Sequence, residues 1–161
     1  MSVDIDSYLY KGLKSLGDEE WKALDSLLDQ CGVWGDVTLP VRVKGFSESE
    51  ANLLSRCGGE DNIVGLQVED SHIVKALFNG CGCFSDIPEE FKYFTNLKEL
   101  YLVYVNLSSI SNLNEYCPQL EKLFIGPNPI RKLCSRNEIM KYANEKLKII
   151  IYDKEIRYAR H

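Results

Sequence analysis

A recurring spacing of aliphatic residues constrains the fold of this chain more than any other feature of its sequence. The spacing is L-x-x-L-x-L-x-x-N-x-L, where L stands for an aliphatic residue, and it occurs at residues 63–73, 97–107 and 120–130. Asn128 fills the asparagine position of the last segment, whereas Val105 and Ser71 stand there in the other two. One such segment is too small to bury its apolar side chains alone, so successive segments are expected to stack and share one core.

Two weaker units flank these segments, one at Val41 and Val43 and one at Leu147, Ile150 and Tyr152. The fourth position of the spacing is then occupied by Val41, Leu66, Leu100, Leu123 and Ile150. Successive residues of this series are separated by 25, 34, 23 and 27 positions. Three of the four steps fall within the ~20–29-residue period of leucine-rich repeats. The long step contains the turn-forming segment Asn79-Gly80-Cys81-Gly82-Cys83, which indicates an inserted loop. The sequence therefore predicts an α/β leucine-rich-repeat solenoid with about four to five parallel β strands.

Three segments between the predicted strands have the features of helices. Residues 47–50 fit a capping box ahead of Ala51, residues 87–91 carry a proline near the start of a turn, and residues 137–142 combine a polar start with an apolar stripe. The L-x-L alternation directs the leucines of each strand to one face of the sheet and the x residues to the other. We therefore expect these helices on the convex side, against the leucines, and an open concave face formed by the x residues.

The chain of 161 residues is expected to form one domain in three parts. These are an N-terminal helical cap at residues 1–33, the repeats at residues 34–153 and a C-terminal tail at residues 154–161. Two helical patterns make up the cap, one over residues 5–16 and one from Asp18 to Gly32, and they are expected to cover the open edge of the first repeat. The alternative is that these two helices bind a partner or form a homodimer.

The composition, with 45% hydrophobic and 27% charged residues, favours a soluble folded protein. Its 19 basic and 24 acidic side chains give a net charge of −5, so nucleic acid is not the default partner that we expect. The N-terminus has no basic segment followed by an apolar one, and no run approaches the ~20 apolar residues that span a bilayer. We therefore expect an intracellular protein, cytoplasmic or nuclear, with no membrane partner and with its six cysteines reduced.

The end of the repeat region carries a more specific pattern. It consists of Leu123-Phe124-Ile125-Gly126-Pro127-Asn128-Pro129-Ile130, a helical segment around residues 138–144 and then Leu147-Lys148-Ile149-Ile150. In this pattern residues 117–156 resemble the end of the short intracellular leucine-rich-repeat proteins, the group that contains a phosphatase-1 regulatory subunit, a U2 spliceosomal protein and acidic nuclear phosphoproteins. Asp153 comes later than in that group, and the group's usual arginine in the capping helix is not recognisable. The resemblance implies a repeat fold and does not indicate which member's function applies.

The outward strand positions are the candidate binding site, because partners of solenoid proteins commonly occupy the concave surface. They are Gln67, Glu69, Glu99, Tyr101, Val103, Lys122, Phe124, Gly126, Ile149 and Ile151, with Tyr104 at the margin. Tyr101 beside Phe124 supplies the aromatic anchors typical of protein interfaces. We therefore predict a non-catalytic interaction module, a scaffold or adaptor that binds a protein partner. The alternatives are that the N-terminal helices or the tail cover this face, or that it forms a homodimer.

Other chemistry has weaker support in the sequence. Cys81 and Cys83 could bind zinc together with His72 or Cys57, but their spacing is not the C-x-x-C of common zinc motifs, and we expect neither a metal nor another cofactor. His72 and His161 are the two histidines, neither lies in a catalytic motif, and no glycine-rich phosphate loop occurs, so no enzymatic activity is predicted. The locally basic tail at residues 154–161 leaves a second possibility, docking to RNA or a ribonucleoprotein.

Overall fold

A computed structural model describes residues 13–31, 41–43, 48–57, 63–80, 82 and 84–152. The helices are α1 (Asp18–Gln30), α2 (Glu48–Cys57), α3 (Leu113–Tyr116), α4 (Ile130–Leu133) and α5 (Arg136–Met140), with 3-10 turns at Leu13–Ser15 and Glu89–Tyr93. The strands are β1 (Val41–Val43), β2 (Ile63–Glu69), β3 (His72–Asn79), β4 (Glu99–Val103), β5 (Lys122–Ile125) and β6 (Lys148–Ile151). Within these residues, no helix has the length and apolar character needed to cross a membrane. The fold is therefore mixed α/β.

The six strands form one open sheet in chain order, and every neighbouring pair is parallel except β2 and β3. These two form a hairpin whose turn residues Asp70 and Ser71 have φ of 50° and 68°. Two consecutive left-handed residues are typical of the tight turn that matches the twist of a hairpin. The prediction that residues 63–73 form a repeat was wrong, because Ser71 lies in this turn and Ile73 in the antiparallel strand β3.

The hairpin also explains the long step between the predicted repeats. Ala76 of β3, Leu100 of β4, Leu123 of β5 and Ile149 of β6 lie side by side in the sheet. They follow one another at 24, 23 and 26 residues, so β3 and not β2 is in phase with the later strands. The predicted fourth position at Ile150 was wrong by one residue, since Ile149 is the residue aligned with Leu123.

The main core lies on the sheet face that carries these four residues. Leu66, Leu102 and Ile125 are buried in it together with residues of α1, α4 and α5. Four phenylalanines fill the space between the hairpin and the Glu89–Tyr93 turn; they are Phe78, Phe84, Phe91 and Phe94. Their rings meet edge to face with centroids 5.2 to 6.2 Å apart, the arrangement that aromatic quadrupoles favour.

Asn128 links two successive turns of the chain. Its Oδ1 accepts hydrogen bonds of 3.0 Å from the backbone N–H groups of Val105 and Leu107, and its Nδ2 donates to the carbonyls of Leu102 and Gly126 at 3.1 and 3.2 Å. The side chain thus satisfies four backbone groups where the chain leaves β4 and β5, as expected for the asparagine of the spacing.

The helix predicted from Asp18 is confirmed, and it ends at Gln30 rather than Gly32. Its buried Glu20 accepts from the backbone N–H of Ile73 at 3.2 Å and contacts Nδ1 of His72 at 2.9 Å. Ser26 donates to Glu90 in the 3-10 turn at 2.6 Å. These contacts place α1 against β3 and that turn, on the main-core face, rather than over the sheet edge as predicted. The other predicted helix, over residues 5–16, lies largely outside the described residues.

The helix predicted near residues 47–54 is present as α2, but its predicted position on the convex side was wrong. Ala51 is buried with Tyr101, Val103 and Phe124, on the sheet face opposite the main core. The other two helical segments lie on the main-core side as predicted. Pro88 precedes the 3-10 turn Glu89–Tyr93, and Ser135 and Glu138 form a capping box at the start of α5.

Candidate functional site

The sheet face opposite the main core carries two rows of side chains that run across β3 to β6 in register. The first, which we call the charged row, consists of Lys75, Glu99, Lys122 and Lys148. The second, the apolar row, lies two residues further along each strand and consists of Leu77, Tyr101, Phe124 and Ile150. Since residues two apart on a strand point to the same face, both rows belong to the predicted concave surface.

The centre of the apolar row is covered. Tyr101 is 1% exposed and Phe124 0% exposed, and their rings stack at a tilt of 39° with centroids 5.9 Å apart. With Ala51 of α2 and with Leu77, Val103 and Tyr152 they form a second apolar cluster. The prediction that Tyr101 and Phe124 are exposed aromatic anchors and Val103 an exposed face residue was therefore wrong. A segment of the same chain packs on all three, as in the predicted alternative, and the described segment that does so is α2.

Helix α2 lies close to the sheet at Gly126. A Cβ atom added there would lie 2.9 Å from Oγ of Ser55 and 3.1 Å from both methyl groups of Val103. Ser55 is buried and donates to the carbonyl of Ala51 at 2.8 Å, within the helix. The hydroxyl of Tyr104 donates to the carbonyl of Ser55 at 3.1 Å. Small residues on both sides thus allow this close contact, and Tyr104 fixes the last turn of α2.

Glu99 organises the charged row. One of its oxygens, Oε2, lies 3.1 Å from Nζ of Lys75, and Oε1 lies 3.7 Å from Nζ of Lys122 and accepts the hydroxyl of Tyr101. Burial raises the pKa of Glu99, but the hydrogen bonds from Tyr101 and Lys75 and the two lysine charges outweigh it, so the pKa lies below its ordinary value. Burial, the hydrogen bond to Glu99 and the charges of Glu99 and Glu48 raise the pKa of Tyr101. At neutral pH the carboxylate is therefore charged and the phenol protonated.

The charged row, unlike the centre of the apolar row, reaches solvent. The side chains of Lys75 and Lys122 are 33% and 29% exposed, that of Glu99 is 20% exposed, and Lys148 is exposed. Among the described residues, Lys148 makes no ion pair. Three lysines against one glutamate make this strip locally positive in a chain whose net charge is −5.

The remaining predicted site residues lie in different environments. Gln67 is half-buried and donates to the exposed Glu69 at 2.9 Å, at the β2 end of the charged row. Ile149 is buried in the main core and Ile151 packs against it, so their assignment to the concave face was wrong. Ile150 and Tyr152 take that face instead. Three consecutive isoleucines at 149–151 give no alternation from which the orientation of the strand could be predicted.

Sequence reasoning missed Lys75, Leu77 and Lys148. The first two lie on β3, which was not recognised as a strand, although residues 72–78 mix β-branched and aromatic residues in a way typical of one. Lys148 was missed because the orientation of β6 was inverted. Lys75 and Leu77 could have been found by recognising the hairpin, since the pairing of β3 with β4 places them beside Glu99 and Tyr101.

The zinc hypothesis is not supported by the described residues. His72 Nδ1 contacts Glu20, while Cys81, Cys83 and the side chain of Cys57 lie outside them. Within the described part, no group of three or more metal-ligating side chains is present.

Cys117 is a buried thiol whose pKa is raised to about 12 by burial. A cleft of about 360 Å³ between residues 109–114 and α4–α5 is lined by mixed polar and apolar groups.

Comparison of the chain with protein-family models, with curated proteins and with solved structures gave no match. Its function therefore has to be inferred from its own residues.

Proposed function

We propose that this chain is a non-catalytic interaction module of leucine-rich-repeat type, which binds an acidic segment of a protein partner along the charged row. The observation that carries the proposal is the in-register alignment of Lys75, Glu99, Lys122 and Lys148 on the part of the concave face that α2 leaves open.

Three features support the repeat architecture. The aligned core residues from Ala76 to Ile149 recur at 23 to 26 residues, within the ~20–29-residue period of such repeats. Asn128 makes the backbone hydrogen bonds that the repeat asparagine supplies. Residues 117–156 resemble the end of the short intracellular leucine-rich-repeat proteins, and on this basis we place the chain in the cytoplasm or nucleus.

The charged row is suited to binding because two of its three lysines, Lys75 and Lys122, are held in place before a partner arrives. Glu99 pairs with Lys75 and Lys122, so less side-chain entropy is lost on complex formation. Adjacent strands lie ~4.8 Å apart, which presents the cations at regular intervals. Surface ion pairs contribute only about 0–1 kcal/mol each, so the partner must offer several carboxylates at once. The net charge of −5 opposes an acidic partner at long range, but salt screens this beyond ~8 Å.

The test is affinity capture from the native cell with the full chain as bait, in three forms. Lys122→Glu with Lys148→Glu reverses two charges in the row, and Lys22→Glu with Lys132→Glu makes the same change at two exposed lysines on other elements. A partner retained by the wild type and by the second variant but lost by the first supports the proposal. Its affinity, measured with purified partner, should fall at least tenfold in the row variant and should fall with added salt.

Equal capture by both variants would refute the charged row as the site. The alternative of RNA or ribonucleoprotein docking depends on residues 154–161, which lie outside the described residues. It predicts instead that capture is abolished by ribonuclease or by deletion of those eight residues.

A further inference from the structure

We propose that the sheet face beneath α2 is a docking groove for an amphipathic helix, which α2 fills in this structure and from which a partner's helix displaces it. The inference rests on the proposed function in one respect, namely that both place the partner on the concave face. It adds an apolar subsite to the charged row and states what kind of segment fits it.

The groove is independent of the main core. Its floor consists of Leu77, Tyr101, Val103 and Phe124, which form a cluster with α2 on one side of the sheet, while the main core lies on the other. The strands beneath α2 are held by their own parallel ladder and by the leucines of the main core. Departure of α2 would therefore expose an aromatic surface on an intact sheet, and such surfaces are typical of interfaces.

The way α2 sits in the groove shows which helix fits. Its buried residues Ala51 and Ser55 are one turn apart and small, and they allow the close approach at Gly126. Leu54 is half-buried and also packs against the cluster, whereas Leu53 is 55% exposed. The groove thus accepts a helix that has small residues where it meets Gly126 and a larger apolar side chain beside them.

The two ends of the groove are polar and suit the two ends of a helix. The last four carbonyls of a helix lack partners within it, and the hydroxyl of Tyr104 donates to one of them, that of Ser55. This bond is to backbone and any helix can accept it. At the other end, the hydroxyl of Tyr101 on the groove floor donates to Glu99, which pairs with Lys75 and Lys122 of the charged row, and α2 begins with Glu48.

These features define the partner segment by its chemistry. It is an amphipathic helix with an acidic residue in its first turn and small residues three and seven positions later, as at Glu48, Ala51 and Ser55. Acidic side chains near a helix N-terminus also interact favourably with the helix dipole. Because α2 has only ten residues, a longer partner helix that makes the same contacts can cover more of the sheet face and displace it.

The experiment uses α2 itself as the probe. A fluorescent peptide of residues 46–59 with Cys57→Ser is titrated against wild-type protein, against Ser55→Leu, and against Leu53→Glu as a control at an exposed position of the same helix. Leucine at residue 55 cannot fit against Gly126 and releases α2, so this variant should bind the peptide at least tenfold more tightly than the wild type or the control. A peptide that itself carries Ser55→Leu should bind at least tenfold more weakly.

Amide hydrogen exchange of the wild-type protein gives a second, independent readout that does not require Ser55→Leu to fold. Opening of the groove predicts that α2 amides are at least 100-fold less protected than those of β4 and β5, because they exchange through a local opening. Equal protection of α2 and these strands, or no peptide binding by folded Ser55→Leu protein, overturns the proposal. Neither assay contains a partner, and neither changes the charged row. Failure of the docking-groove proposal is therefore distinguishable from failure of the proposed function.

Discussion

Replacing Asn128 by alanine should destabilise the protein more than any exposed polar substitution. The change removes the hydrogen bonds to the N–H groups of Val105 and Leu107 and to the carbonyls of Leu102 and Gly126. A buried polar group left without a partner costs ~1–3 kcal/mol. Because these groups are part-buried and water can reach some of them, we take the two N–H groups at the lower half of that range and expect a loss of about 2–4 kcal/mol.

The loss can be measured by urea unfolding followed by circular dichroism. With a slope of about 2 kcal/mol per molar urea, the midpoint should fall by roughly 1–2 M. The matched control is Asn114→Ala, an exposed asparagine, which should change the free energy of unfolding by no more than ~0.5 kcal/mol. If Asn128→Ala were no more destabilising than Asn114→Ala, the asparagine would not link the successive turns, and the main structural support for the repeat architecture would be lost.

Two further predictions concern the sheet. The folded protein holds the pKa of Glu99 below its ordinary value of 4.5. The ionised carboxylate therefore stabilises the fold above pH 4.5, and this stabilisation is lost as the pH falls further below that value. The destabilisation by Glu99→Gln, measured by urea unfolding, should therefore be largest near pH 7 and shrink as the pH falls below 4.5; a pH-independent difference would contradict this. Ile149→Ala should cost about 2–4 kcal/mol because Ile149 is buried in the main core, and the half-buried Ile150→Ala should cost clearly less. The reverse order would mean that β6 faces the other way.

The sequence was sufficient to predict those parts of the fold in which apolar residues recur at a regular spacing. The segments 97–107 and 120–130 form β4, β5 and the turns that follow, and the helix at Asp18 is present. The hairpin was missed because Ser71 and Ile73 happen to fit the repeat spacing. Its turn, Asp70-Ser71, also lacks the glycine or asparagine that usually marks two consecutive left-handed residues.

The position of α2 could not be predicted, because its sequence suggests the wrong buried side. Leu53 and Leu54 are its large apolar residues, and burying them would point the helix toward a core made of leucines. The structure instead buries the small residues Ala51 and Ser55 and leaves Leu53 largely exposed. Close approach to Gly126 decides this arrangement, and the partner of a close approach is a tertiary property that no local pattern encodes.

The predicted binding face and the observed second cluster nevertheless follow from one signal. In Tyr101-Leu102-Val103 and Leu123-Phe124-Ile125 both alternating sets of side chains are apolar, and parallel strands with such runs are generally buried on both faces. An apolar outward face thus indicates that something covers it, whether a partner or a segment of the same chain. The line where burial on the second face ends is marked by polar residues, Lys75 in the middle of β3 and Glu99, Lys122 and Lys148 at the starts of β4, β5 and β6. For that reason the exposed part of the binding surface should be sought along this line, and the covered part beneath the helix that now fills it.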